Sequence, residues 1–230
     1  MRFPLRLRAA LIKAKLSGML GGGSSSSRIA HATADEQSVA LVRNTKASMV
    51  WLGGAEPLLH PEIGRLTSNL QEDNRYVFMH TNGKNLRQRL HMFRPEERLF
   101  LVTEFVGREE RHNRVVAQPD AFQRSLEGIR AAKLSGFLVA AHVTVTTETD
   151  TCDIGELIEA LDKLDVDGFV ATSRGQSLEP NHQSLAETLD DVRVMIRYGA
   201  WEDFSRLLEE SFGGQSRVRA GSENAFEEGD

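Results

Sequence analysis

An apolar run, Met49-Val50-Trp51-Leu52, stops at Gly53 and Gly54, turns through Ala55-Glu56-Pro57, and leads through His60-Pro61-Glu62 into a helical pattern. Strand tips of this kind line the sites of α/β proteins. Glycines there let a ligand approach the main chain with no side chain in the way. A backbone carbonyl and a carboxylate such as Glu56 are the partners an ammonium group needs. The same residues also suit a tight strand-to-helix turn without a ligand, with Pro61 in the first helical turn. Polar groups recur where other apolar runs end: Thr81 and Asn82, Thr103 and Glu104, and Ser173-Arg174-Gly175. Thr81 and Asn82 can line a pocket or serve turn chemistry. Glu104 can accept hydrogen bonds in a pocket or stand solvated on its loop.

The remaining candidates are histidines and one thiol. His112 and Arg114 lie in a charged stretch, Phe105–Pro119. His142 and Thr144 alternate along the apolar run Phe137–Val145, which places them on one face of a strand; a buried, hydrogen-bonded histidine is the alternative there. Glu56, His80, His112 and His142 follow no recognised ligand spacing, so the sequence assigns no metal site. Cys152 precedes a helical pattern, a position that can lower a thiol pKa, but it reads more simply as an inert surface cysteine. The GxSxG, P-loop and HExxH patterns are absent.

These groups fall at strand ends because strands and helices alternate. Strands are expected at Met49–Leu52, Tyr76–His80, Leu99–Thr103, Phe137–Val145 and Phe169–Ala171. Helices are expected from Thr33 or Asp35 to about Lys46, and over Pro61–Leu70, Leu86–Met92, Ala121–Leu134, Asp153–Leu164, Leu185–Tyr198 and Trp201–Phe212. Phe105–Pro119 reads as a loop. Such alternation means βα units, a parallel sheet and a partial or closed barrel with its loops gathered at the strands' C-terminal ends.

Gly54-Ala55-Glu56-Pro57-Leu58-Leu59, with His60-Pro61-Glu62-Ile63, resembles the GGEPLL-hPEi signature of the radical SAM superfamily, with Ala55 at the second glycine. Tyr76 to Gly83 is similar to that family's strand ending in TNG. His112-Asn113-Arg114, Asp120-Ala121-Phe122, Leu126-Glu127-Gly128-Ile129 and Gly136-Phe137 resemble a later family passage, and Met1–Leu7 resembles the start of the hopanoid-biosynthesis branch. Together these cover roughly residues 36–200. The resemblance implies a (β/α) partial barrel of the radical SAM type. It implies S-adenosyl-L-methionine (SAM) or a nucleoside as ligand, held by Gly53, Gly54, Ala55 and Glu56, with Thr81, Asn82, Glu104 and Ser173 around it. His112 and Arg114 would contact substrate.

The family also implies a [4Fe–4S] cluster on a CxxxCxxC loop after the first strand, but this chain has one cysteine. Where that strand and loop are expected, it reads Gly21-Gly22-Gly23-Ser24-Ser25-Ser26-Ser27-Arg28, and serine hydroxyls are poor cluster ligands. The expectation is therefore about five strands, with the first strand and cluster loop missing. The edge beside Met49–Leu52 would stay open to oligomer formation unless Gly21–Thr33 or a partner chain covers it. The functional expectation is a degenerate family member, a pseudoenzyme that holds no cluster, does not cleave SAM reductively, and retains SAM or nucleoside binding. The alternatives are a non-catalytic scaffold or partner in a hopanoid-type lipid biosynthetic system, or a cluster-independent enzyme using Glu56 or His112.

At 230 residues, 40% hydrophobic and 27% charged, the chain suits one soluble globular domain. A net charge of −5 argues against a general nucleic-acid binder. A single cysteine excludes an intrachain disulfide and fits a reducing cytosol. Residues 1–20 form a basic amphipathic stretch that either packs on its own domain or lies on the inner face of a membrane. Residues 21–33 read as a Gly/Ser-rich linker, 34–212 as the truncated α/β domain, and 213–230 as a disordered tail.

Overall fold

The computed structural model describes residues 29–45, 47–173 and 185–197. The N-terminal amphipathic stretch, the Gly/Ser run, Arg174, Gly175, the expected helix Trp201–Phe212 and the tail lie outside those residues. Six parallel strands run in consecutive order: β1 (Ile29–Thr33), β2 (Met49–Gly53), β3 (Tyr76–Thr81), β4 (Leu99–Phe105), β5 (Leu138–Val145) and β6 (Gly168–Ser173). The helices between and after them are α1 (Glu36–Arg43), α2 (Ile63–Glu72), α3 (Leu86–Arg89), α4 (Glu109–Val116), α5 (Ala121–Leu134), α6 (Thr151–Asp162) and α7 (Leu185–Arg197). Sheet and flanking helices make a partial α/β barrel.

The strand count corrects the sequence reading. β1 lies inside the stretch expected to be linker, and it pairs in register with β2 from Ile29↔Met49 to Thr33↔Gly53. The edge of β2 that was expected to be open is thus covered by β1, Ile29–Thr33. The sequence hides this strand because its centre, Ala30-His31-Ala32, has weak strand propensity between Ile29 and Thr33; hydrogen bonding to β2 and burial of Ala32 supply what those residues lack. Asp35 then caps α1 by accepting from Ser38 N at 2.7 Å.

A second correction concerns Phe105–Pro119, where α4 forms in the expected loop. Its eight residues contain one buried side chain, His112. Acidic residues in the first turn and Arg114 in the last suit the helix dipole, and Arg114 pairs with Glu110 at 2.7 Å. Arg111 ties the helix to the loop after β5 through Thr146 Oγ1 at 2.8 Å.

Alternation along each strand builds two surfaces. Val50, Leu52, Val77, Met79, Leu101, Val139, Ala141 and Phe169 join the helices in one core. Met49, Trp51, Tyr76, Phe78, Phe100, Val102, Ala140 and Val170 form a second cluster containing no helix residue, which is the inner face of the barrel. Both faces are covered by apolar groups, as continuous hydrophobic strands require.

At the lower rim, Arg75 closes the junction between α1 and β2. Its guanidinium donates to Val42 O (2.9 Å), Ala47 O (3.0 Å), Arg43 O (2.8 Å) and Thr45 O (2.9 Å). The carbonyls of Arg43, Thr45 and Ala47 lead from the end of α1 toward β2, where Arg75 serves them, while Val42 O also accepts from Thr45 N and Thr45 Oγ1. Replacing Arg75 with Met should lower unfolding free energy by about 3 kcal/mol, read as a fall in urea midpoint at unchanged m-value. A midpoint equal to the parent's would mean that water serves these carbonyls just as well.

Candidate functional site

The glycine-rich tip of β2 is built by backbone demands. Gly54 has φ +86°, and a Cβ there would stand 2.7 Å from Thr33 Cγ2, so β1 and the positive φ together require glycine. Gly53 lies on the inner face, where a Cβ would meet Trp51 Nε1 at 3.4 Å and His80 Cβ at 3.6 Å. The absence of a side chain at Gly53 leaves space above Trp51 and His80. Ala55 is exposed in the turn.

Glu56 brackets two strand tips. Its Oε1 accepts from Thr81 Oγ1 at 2.6 Å and Leu58 N at 3.1 Å, while Oε2 accepts from Asn82 N at 2.8 Å. Thr81 is buried on the helix-facing side, and its hydroxyl also accepts from Gly83 N at 3.1 Å. Asn82 turns its Oδ1 to Lys84 N at 3.1 Å, the Asx-type turn chemistry weighed above. Glu56, Thr81 and Asn82 therefore stand together as one bracket beside the mouth of the barrel.

The inner face carries a second group. His80 Nε2 lies 2.8 Å from His142 Nδ1 and 3.8 Å from Glu104 Oε2. His142 Nε2 contacts Thr172 Oγ1 at 2.7 Å, and Thr144 Oγ1 donates to Glu104 Oε1 at 2.7 Å. The Trp51 ring centroid stands 5.2 Å from that of His80 and 5.9 Å from that of His142. Ladder register explains the grouping, since Glu104 pairs with His142 and Thr144 with Thr172 across adjacent strands. Among the described residues, His80, Glu104 and His142 can each turn one ligand atom to a common point.

The other expected site residues lie elsewhere. His112 is buried on the helix side, its ring centroid 5.3 Å from Phe105 and 5.9 Å from Phe122. Arg114 is exposed and pairs with Glu110. Ser173 is exposed at the end of β6, while Thr172 reaches the inner face. Cys152 is exposed at the start of α6. Thr172 was missed by sequence reasoning; alternation from Val170 was the signal available. A cavity of about 420 Å³ opens at the opposite end of β5, lined by Arg130, Lys133, Leu138 and Lys163 among others, and none of the candidate residues lines it.

The connection from β1 to α1 consists of Ala34 and Asp35. Neither offers a thiolate, and Cys152 follows β5, with β2, β3 and β4 between it and β1. These residues do not fit a [4Fe–4S] cluster, whose irons take three or four such ligands.

No family model matches the sequence, and no curated protein does. Solved structures match in fold. TYW1 with a lysine-pyruvate adduct bound is 15% identical, with a TM-score of 0.54, over 84% of this chain and 58% of that one. SuiB of Streptococcus suis bound to S-adenosylmethionine is 16% identical, with a TM-score of 0.54, over 70% of this chain and 39% of that one. SuiB bound to its precursor peptide SuiA gives a TM-score of 0.53 at 15% identity, over 79% of this chain and 39% of that one. These are radical SAM enzymes, and at such identity the likeness is one of fold. The chain spans less than two thirds of their length. Among the described residues no helix is long and apolar enough to cross a membrane.

His112 generates a pH prediction. Both of its ring nitrogens are buried without a hydrogen-bond partner, and burial holds its pKa down at about 4, below the usual 6.5, against a weaker opposing pull from Glu104. The folded state thus resists protonation that the unfolded state accepts. Stability should be level above pH 6.5 and fall as pH drops from there toward 4, by on the order of 3 kcal/mol in all. In His112→Leu this component should vanish and neutral-pH stability should not fall, as read from denaturant midpoints across pH. An unchanged acid slope in that variant would assign the loss to other groups.

Proposed function

We propose that this chain is a cluster-less relative of radical SAM enzymes that binds SAM or a related nucleoside at the mouth of its partial barrel and does not cleave it reductively. The observation that carries the reading is the join after β1. A radical SAM-type barrel is present, yet its first strand passes into α1 through Ala34 and Asp35, with no cysteine. Without thiolates to hold a cluster, the electron source for reductive cleavage has no place on this chain, and no reaction step is derived through it.

Ligand binding is supported by what remains at the strand tips. Gly53, buried beside Trp51, places no side chain over the indole, an aromatic surface against which a purine can pack. Glu104 keeps an accessible carboxylate, with its side chain 26% exposed, able to accept from ribose hydroxyls. The Glu56 bracket fixes the Gly54–Pro57 turn; the Glu56 and Pro57 carbonyls accept from Leu59 N and His60 N, and those of Gly54 and Ala55 are the ones suited to an ammonium group. The likeness of Met1–Leu7 to the hopanoid-associated branch, together with the basic amphipathic character of residues 1–20, supports a place beside lipid metabolism at the cytoplasmic membrane face.

The test is calorimetric titration of SAM into protein treated anaerobically with iron and sulfide, with bound iron and 5′-deoxyadenosine formation measured on the same sample. Saturable SAM binding, no retained iron and no 5′-deoxyadenosine are expected. Gly53→Val should weaken binding about tenfold or more by filling the space above Trp51, with the melting temperature retained. Stoichiometric iron with 5′-deoxyadenosine would return the chain to the family chemistry. An absence of SAM binding would remove the ligand reading and favour a scaffold.

A further inference from the structure

The inner-face group of His80, Glu104 and His142 contains the two imidazoles and one carboxylate that bind first-row transition ions, held on three adjacent strands rather than on loops. We propose that His80 Nε2, His142 Nδ1 and Glu104 Oε2 form a mononuclear site for a divalent transition ion such as Zn²⁺ or Co²⁺, with open positions facing the barrel mouth. Ligands about 2.0–2.1 Å from such an ion lie about 2.9–3.4 Å from one another in octahedral or tetrahedral geometry. Two of the three separations are 2.8 Å and 3.8 Å, on either side of that range, and all three ligand atoms lie within 4.8 Å of one another. Small rotations of His80 and Glu104 would equalise them.

The surroundings match those of a metal centre in a second respect. Metal-ligating histidines and carboxylates are held by hydrogen bonds through the atom that does not face the metal. His142 is held so through Nε2 by Thr172, and Glu104 through Oε1 by Thr144. His80 is backed by the Trp51 ring, and Phe78, Val102, Ala140 and Val170 form an apolar floor, which shields charge–ligand attraction from water. With three protein ligands, the ion would keep positions for water or for an oxygen or nitrogen group of a small molecule, as in metal sites that act as Lewis acids. The site stands on these residues and does not depend on SAM binding.

The experiment uses the full chain, untagged, with Trp201→Phe so that Trp51 is the sole tryptophan, stripped of metal with EDTA and kept free of SAM. Co²⁺ is titrated against Trp51 fluorescence, and Zn²⁺ by calorimetry. Quenching that saturates at one equivalent with micromolar or tighter affinity is expected, since the indole lies within 5.9 Å of both imidazoles. His142→Ala and Glu104→Gln should each weaken binding about 100-fold or more. Thr172→Val, which leaves all three ligands in place, should weaken it about 10-fold. Should His142→Ala lose its fold by circular dichroism, Thr172→Val and Glu104→Gln carry the test. Quenching that fails to saturate by millimolar Co²⁺, or equal affinity in the folded variants, overturns the site and leaves a hydrogen-bonded histidine pair. Because SAM is absent throughout, that outcome leaves the nucleoside-binding reading standing, and failure of SAM to bind leaves the metal site standing.

Discussion

A parallel strand turns successive side chains to opposite sides, and neighbours in such a ladder lie level with one another. Six strands in unbroken order convert that alternation into two continuous surfaces. One must be apolar to seat the helices; the other is enclosed by the sheet's own curvature. Every placement that matters follows from parity. Trp51, His80, Glu104, His142 and Thr172 reach the inner face because Leu52, Thr81, Thr103, Val143 and Ala171 are committed to the outer one. A one-residue slip in any strand would exchange these sets.

The second organising contact is the carboxylate of Glu56. Both of its oxygens accept from the tip of β3, at Thr81 Oγ1 and Asn82 N, and one also accepts from Leu58 N after β2, so the turn that looks most like a ligand-binding motif is also a joint of the scaffold. Any ammonium group that approaches the Gly54–Pro57 turn meets a carboxylate already accepting three hydrogen bonds. That arrangement favours recognition through main-chain carbonyls. Glu104, by contrast, has one oxygen held by Thr144 and the other turned toward the imidazoles.

His112 shows how the chain uses a polar residue away from the mouth. It lies between Phe105 and Phe122 under a helix whose other side chains are mostly charged and exposed. Its ring acts as an aromatic filler that stays uncharged near neutral pH, at the cost of two unpartnered nitrogens. Its place among histidine and arginine in the sequence gave no sign of this, because burial depends on which way a short helix rolls against α5.

The sequence by itself determined the alternation of strands and helices, and most boundaries fall within two residues of the pattern. The strong elements are those whose residues announce their environment: the continuous apolar run Leu138–Val145, and the amphipathic Ala121–Leu134. It also determined the shortage of thiolates, since one cysteine remains one cysteine in any fold. β1 was not legible, because Ala and His carry little strand preference and become ordered only by hydrogen bonding to β2. α4 was hidden by its charge. The grouping of His80, Glu104 and His142 belongs to the tertiary structure alone. These residues are separated by 24 and 38 positions in the chain, with no ligand spacing to link them, and only the register of three adjacent strands brings their side chains to one point.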